Sequence, residues 1–311
     1  MSIQSYIIKK ILRRVVPKDE DFSLRRKKTD ELAGKNSLAK NVSIKEVQLG
    51  SVTCEWAYIE NAPLDKAIIY LHGGGFCIGS INTYRHFTSR LAKATGIRVL
   101  YVEYSLAPEH PFPRALEDVI AVYQSLLSQG ISSENIIFMG DSAGAGLCLS
   151  TTLALRDRGE SLPTALILYS PWTDLTLTSK SLKTNEKKDP LVFVNDQKKL
   201  VRAYIKEKDV RNPLVSPRFG NFNRFPPMLI HTGTDEILLD DSLNLVEKAK
   251  KAGVEVTLKL WKGMFHVFSI FPDHTPEGKK SLKEVVTFIH SKWGLNNTSN
   301  LSKEQQKQFK L

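Results

Sequence analysis

A serine set between two glycines, carboxylates that follow a later strand, and a histidine in a loop near the C-terminus are residue types that together can transfer acyl groups. The stretch NIIFMGDSAGAGLCLS, residues 135–150, carries Gly140, Ser142 and Gly144 in G-x-S-x-G spacing. An apolar strand pattern precedes it and an apolar helix pattern follows. In that setting the serine sits on a sharp strand-to-helix turn, and the flanking small residues let the two elements approach closely enough to expose its hydroxyl. A serine hydroxyl is a weak nucleophile until a base takes its proton and a third group orients that base.

On such a turn the partners follow in the chain order serine, acid, histidine. Four histidines lie beyond Ser142: His231, His266, His274 and His290. His231 falls inside the apolar run PMLIHTG, His274 in a proline-rich turn and His290 in the last helix pattern. His266 follows the strand pattern VTLKLW in the loop KGMFHVF, where a base can reach the end of a sheet. The acid should follow the preceding strand, and HTGTDEILLDDS offers Asp235, Glu236, Asp240 and Asp241. Asp235 is nearest the strand end and is the expected acid. Thr234 can take the capping role that Asp235 would otherwise have at the next helix.

A second glycine-rich stretch, KAIIYLHGGGFCIGS, occupies residues 66–80. Glycine at a strand end costs conformational entropy, so the site must need bare backbone. It could serve a tight turn, a phosphate cradle, or amides aimed at a developing negative charge. Neither glycine stretch matches the G-x-x-x-x-G-K-[ST] phosphate loop, and DSAGAGL lacks the third glycine of a dinucleotide site. The oxyanion role remains. One amide would come from Ala143, the residue after the nucleophile, and others from the HGGG loop at 72–75. Each such donor can contribute about 3–4 kcal/mol in the transition state.

The elements that must hold these residues are legible as alternation. Strand patterns appear at 42–48, 52–59, 67–71, 97–103, 135–139, 164–169, 228–232 and 255–261, and helical patterns near 83–95, 114–128, 143–158, 237–252 and 277–292. The first two strands alternate in polarity, whereas the later ones read as apolar runs covered on both faces. Two leading strands followed by strand–helix units predict one doubly wound α/β sheet. Two regions break the pattern. Residues 1–40 are basic and carry an apolar face of Ile3, Ile7, Ile8, Ile11, Leu12 and Val15 at helical spacing. Residues 175–225 form a long connection, helical near 195–206, of the kind that serves as a lid or binding element. The tail from 296 is polar and expected to be flexible.

The chain has 311 residues and a formal net charge of +11. The first 50 residues hold 12 basic and 6 acidic side chains, the segment 279–311 holds 7 and 2, and the body between them is balanced. A nucleic-acid enzyme would carry a basic stripe around its working site, and a neutral body argues against one. Three cysteines without CxxC spacing argue against a disulfide framework or zinc cluster and fit a reducing compartment. No run reaches the length of a membrane span, and no secretory signal is recognisable. Cytoplasmic location is therefore expected. A membrane surface remains a candidate partner of the basic N-terminal helix, though packing on the rest of the chain is the plainer use of its apolar face.

The ordered motifs YLHGGGF (70–76), EYSLAPEHPFPRALED (103–118), GDSAG (140–144), SPWTDL (170–175), NPLVSP (212–217), PPMLIHTGTDEILLDD (226–241) and GMFHVF (263–268) resemble the α/β-hydrolase-3, or hormone-sensitive lipase-like, esterases across roughly residues 65–270. The resemblance implies an eight-stranded sheet under a helical cap built from about 1–40 and 175–225. It also implies Ser142, Asp235 and His266 as triad, Gly73, Gly74 and Ala143 as oxyanion donors, and His72 as the residue orienting the glycine loop, with no cofactor or metal. Gly75 would merely let the loop turn away, and a bulky residue at Gly74 would lower kcat far more than it disturbs folding. The chain departs from the family pattern at Ser105, where arginine is usual, and at Ala145, where glycine is usual. The function implied is hydrolysis of small short-acyl esters. Lactone hydrolysis of the monoterpene ε-lactone type uses the same machinery and stays open. So does a small-molecule receptor on the same fold, although gibberellin receptors lack the histidine present here as His266. Such enzymes are often homodimers.

Overall fold

The computed structural model describes residues 1–16, 21–34 and 37–295. The expected flexible tail, 296–311, lies outside the described residues.

Every strand pattern of the sequence becomes a strand: β1 (Ser43–Leu49), β2 (Val52–Tyr58), β3 (Ala67–Leu71), β4 (Arg98–Val102), β5 (Ile136–Asp141), β6 (Ala165–Tyr169), β7 (Met228–Gly233) and β8 (Val256–Trp261). They form one sheet in the order β1-β2-β4-β3-β5-β6-β7-β8. β1 and β2 pair antiparallel, as do β2 and β4, and all other pairs are parallel. β8 corrects one expectation. It is an edge strand, half exposed along its length, because only one neighbour covers it.

Nine helices are described: α1 (Ile3–Val15), α2 (Phe22–Ala33), α3 (Ile81–Thr95), α4 (Arg114–Ser128), α5 (Ser142–Asp157), α6 (Ser181–Thr184), α7 (Val194–Ile205), α8 (Leu239–Lys251) and α9 (Pro276–Lys292). Alternate residues of β3 show how the sheet divides the core. Ile69 and Leu71 face the layer containing Val119 and Tyr123 of α4, Leu149 of α5 and Leu245 of α8. Ile68 and Tyr70 face the layer containing Phe87 and Leu91 of α3 and Val285 and Ile289 of α9. Period-two alternation within a fully buried strand thus places helices on both faces.

The order reverses between the adjacent strands β3 and β5. The chain leaves β3 toward β4 on one side and leaves β5 toward β6 on the other, which opens a crevice at their C-terminal ends. The HGGG loop leaves β3 and Ser142 leaves β5 at that place. The two irregular regions gather above the same edge. Arg26 of α2 donates to the carbonyls of Cys77 and Ala107, each at 2.7 Å, and Arg25 pairs with Asp196 of α7 at 3.4 Å. Phe76 stacks on Tyr204 of α7 with ring centroids 3.8 Å apart.

Candidate active site

Ser142 is the first residue of α5 and has φ of 52°, the left-handed region that disfavours side chains. The strain is held by close packing. A Cβ on Gly144 would stand 2.1 Å from the carbonyl oxygen of Leu71 and 2.4 Å from that of His72, so only glycine lets α5 press this closely on β3. The Ser142 hydroxyl lies 2.9 Å from His266 Nε2. With that nitrogen accepting the hydroxyl proton, Nδ1 carries the ring hydrogen.

The carboxylate at Nδ1 is not Asp235. Glu236 Oε2 stands 3.4 Å from His266 Nδ1 and is completely buried. Asp235 instead pairs with Lys9 of α1 at 2.7 Å and is partly exposed. The cause is the turn after β7. The Asp235 amide donates to the carbonyl of Met264 at 2.9 Å, tying the loop that carries His266 to the acid turn. The turn sends the side chain of Asp235 toward α1 and that of the next residue inward. Nearness to the strand end, the reason for expecting Asp235, does not distinguish adjacent acids on a turn, and no other signal in TDE ordered them. Burial pushes the Glu236 carboxyl up to about 8, opposed by Ser170 and by the amides of Gly233 and Val267. Burial likewise holds the His266 imidazole below its usual value, opposed by the charges of Asp189 and Asp141. Asp189, also buried, accepts from the amides of Leu191 at 3.0 Å and Ile237 at 3.1 Å, and so fastens the long connection to the acid turn.

The glycine loop also differs from expectation at two residues, Gly73, expected as a donor, and Gly75, expected only to let the loop turn away. The Gly73 amide is already committed, donating to Asp141 Oδ1 at 3.0 Å and to the Tyr84 hydroxyl at 3.1 Å. Asp141 itself accepts from Tyr70 at 2.6 Å and from Tyr84 at 3.0 Å, and burial raises its carboxyl to about 6. Gly73 is therefore a fixed post of the loop rather than a free donor. Among the described residues the amides of Gly74 and Gly75 have no hydrogen-bond partner. The Ala143 amide lies in the first turn of α5, where helical amides lack an intrahelical acceptor. Gly74 has φ of 105°, and a Cβ there would lie 2.1 Å from the Ile78 carbonyl oxygen. That position cannot take a side chain without moving the loop.

His72 is fully buried, stacked on Tyr104 with centroids 4.1 Å apart and on Tyr101 at 5.4 Å. Its Nδ1 lies 2.7 Å from the Gly73 carbonyl, which accepts, so Nδ1 carries a hydrogen. Burial lowers its pKa to about 4. The Tyr104 hydroxyl donates to the His72 carbonyl at 2.6 Å. The three residues that sequence reasoning missed, Asp141, Tyr70 and Tyr84, had one weak signal: Asp141 directly precedes Ser142 in a strand otherwise apolar.

His231, His274 and His290 lie elsewhere. His231 is buried under α9 beside Ser281 at 2.7 Å, His274 stacks on His86, and His290 lies 3.0 Å from the Thr95 carbonyl. Asp240 accepts from the Ser181 amide at 2.9 Å. Asp241 accepts from the amides of Thr173 and Asp174 and from the Ser179 hydroxyl. Both hold the long connection onto α8. Among the described residues no cluster of histidine, cysteine, aspartate and glutamate is arranged to hold a metal ion.

Known proteins share the fold that carries this site. Residues 68–270 match the model of the alpha/beta hydrolase fold family. An "Esterase" of Acinetobacter venetianus is 41% identical over 252 residues, covering 80% of this chain and 82% of its own length. An "Acetyl-hydrolase" of Streptomyces hygroscopicus is 39% identical over 249 residues, covering 80% and 83%. Among solved structures, an esterase/lipase from an uncultured bacterium superimposes with a TM-score of 0.90 at 38% identity, covering 94% of this chain and all of its own. An esterase from the bacterial hormone-sensitive lipase family superimposes with a TM-score of 0.91 at 35% identity, covering 95% and 99%.

Proposed function

From the premise that this chain belongs to the alpha/beta hydrolase fold family and is a hydrolase of the esterase type, we propose that it cleaves small short-acyl carboxylic esters through an acyl-enzyme on Ser142. The observation that carries the reading is the chain of contacts from the Ser142 hydroxyl to His266 at 2.9 Å and from His266 to Glu236 at 3.4 Å. His266 Nε2 takes the hydroxyl proton as Ser142 Oγ bonds to the substrate carbonyl carbon. The imidazolium formed stands beside the Glu236 carboxylate, and the pairing offsets the cost of charging two buried groups. The oxyanion is received by the amides of Gly74, Gly75 and Ala143, whose alignment is fixed before substrate arrives. His266 returns the proton to the leaving alkoxide. A water deprotonated by the same nitrogen then attacks the acyl carbon, and collapse frees the acid and Ser142.

His72 and Asp141 act through the loop. One bonds the carbonyl of Gly73 and the other its amide, so the peptide on either side of that residue cannot rotate. The preference for short acyl groups is carried over from the relative named an acetyl-hydrolase, and α7 presses on the glycine loop, where a Cβ on Gly75 would lie 2.5 Å from Leu200. α1, α2 and the connection through α6 and α7 act as the cap of one hydrolase domain. Cys54, Cys77 and Cys148 are buried free thiols, which fits a reducing compartment, and we place the enzyme in the cytoplasm.

A panel of aryl esters of increasing acyl length, run beside Ser142→Ala and an ε-lactone, tests the proposal. Turnover highest on acetate to butyrate esters and lost in Ser142→Ala is expected. Equal turnover by Ser142→Ala, or no labelling of Ser142 by a fluorophosphonate, would overturn the serine mechanism. Faster opening of the lactone would overturn the substrate class.

A further inference from the structure

α1 uses only one of its faces within the fold. Ser5 is buried and donates to Glu277 of α9 at 2.6 Å, Lys9 pairs with Asp235, and Ile8 and Leu12 pack on Met264, Phe265 and Phe268. The outward side carries Ile3, Ile7 and Ile11, with Val15 at its border beside Ile8, and these four are between 45% and 77% exposed. At a spacing of four, these side chains fan over about 120° of the helix surface. Six of the fourteen exposed large apolar residues among the described residues fall within the first 15 positions, the other two being Met1 and Tyr6. Scattered exposed apolar residues are ordinary, but a cluster on one helix face marks a contact surface.

We propose that this face of α1 docks on an anionic lipid surface. The charge around it selects that occupant. α1 holds four basic residues and no acidic one. Lys9 and Arg13 are used inside the fold, on Asp235 and on the carbonyls of Lys187 and Asp189. Lys10 and Arg14 are exposed and, by helical position, lie among Ile3, Ile7 and Ile11. The Arg13 contact also brings alongside a segment that exposes Lys180, Lys183 and Lys187. Isoleucines that enter the acyl boundary, with long cations reaching the headgroups, are the pattern of a helix lying in a membrane interface. A second copy of the chain fits less well, since a two-fold contact would set the same cations against one another. Docking also has a functional direction. Through Ile8, Leu12 and Lys9, the helix rests on the loop of His266 and the turn of Glu236, so the site is held about one helix diameter from the lipid, or roughly 10 Å.

The test is co-sedimentation of the full chain with vesicles of phosphatidylcholine alone and with one-third phosphatidylglycerol. Binding to the anionic vesicles that weakens in high salt, with little binding to the neutral ones, is expected. Lys10→Gln/Arg14→Gln should bind roughly 30-fold more weakly, and Ile7→Glu/Ile11→Glu should not bind. Both variants should keep the circular dichroism and soluble-ester turnover of the parent, since these side chains point to solvent. Absence of binding to anionic vesicles, equal binding to both compositions, or variants that bind like the parent would each overturn the proposal. So would a dimer by sedimentation velocity that is abolished in Ile7→Glu/Ile11→Glu while vesicles are ignored, which would assign the face to a second copy.

Discussion

Replacing Glu236 with glutamine, beside Asp235 with asparagine, separates the two adjacent acids. Glu236 lies, fully buried, 3.4 Å from Nδ1 of His266, the ring that becomes positive in the proposed transition state. At an effective dielectric near 20, a carboxylate and an imidazolium at that distance attract by about 5 kcal/mol. An amide cannot supply that attraction, and its NH₂ can force the wrong imidazole tautomer. Loss of about 5 kcal/mol corresponds to roughly 10³–10⁴ in kcat. Asp235 faces Lys9 in a pair that is partly exposed on both sides. Such a pair contributes only about 0.2–1 kcal/mol to stability, and its removal should leave kcat within a few-fold. Steady-state turnover of an aryl acetate at pH 8.5, where burial no longer keeps the Glu236 carboxyl protonated, gives the comparison. Glu236→Gln with more than a tenth of the parent kcat, or Asp235→Asn as damaged as Glu236→Gln, would refute the assignment.

Asp141→Asn should lower kcat about tenfold or more with KM little changed and the fold intact, because a charged acceptor contributes about 1.5–3 kcal/mol to holding the Gly73 amide; an equal rise in KM would indicate a damaged pocket instead. Gly74→Ala should lose both turnover and thermal stability, since its Cβ would collide with the Ile78 carbonyl at 2.1 Å, and circular dichroism melts beside kcat would show whether the two fall together. That outcome departs from the effect on kcat alone that the motif suggested. Stability should fall as pH rises from 6.5 to 8.5. Burial raises Glu103 and Asp241 to about 7 and Glu236 to about 8, so the folded chain keeps protons that the unfolded chain has released. Stability from such groups is full at low pH and lost as pH climbs through the folded value, here by roughly 3 kcal/mol over the window. His72 and His231, pushed down to about 4 and about 3, are neutral in the folded chain but half protonated in the unfolded chain at pH 6.5, so each opposes the trend by only about 0.4 kcal/mol. A melting midpoint that rises across this window would contradict it.

The parts legible in the sequence were those fixed by short-range periodicity or by packing at one residue. A buried parallel strand must be apolar on both faces, so β3, β5 and β6 announce themselves as continuous runs. Gly144 and Ser142 announce the turn because nothing larger than hydrogen fits against Leu71. The two misplacements, Asp235 for Glu236 and Gly73 for Gly75 among the free donors, share a different cause. Each depends on which way one peptide unit faces in an irregular turn, and that is set by partners far away in the chain. Met264 and Lys9 hold the first, Asp141 and Tyr84 the second. A motif can thus name the turn while leaving its neighbours unordered. The same reasoning explains why α1 read ambiguously. Its apolar residues were visible at helical spacing, yet they cover more of the circumference than one packed face requires. Only the partners of Ser5, Ile8, Lys9 and Leu12 divide that excess into an inner face the fold consumes and an outer one it leaves for something else.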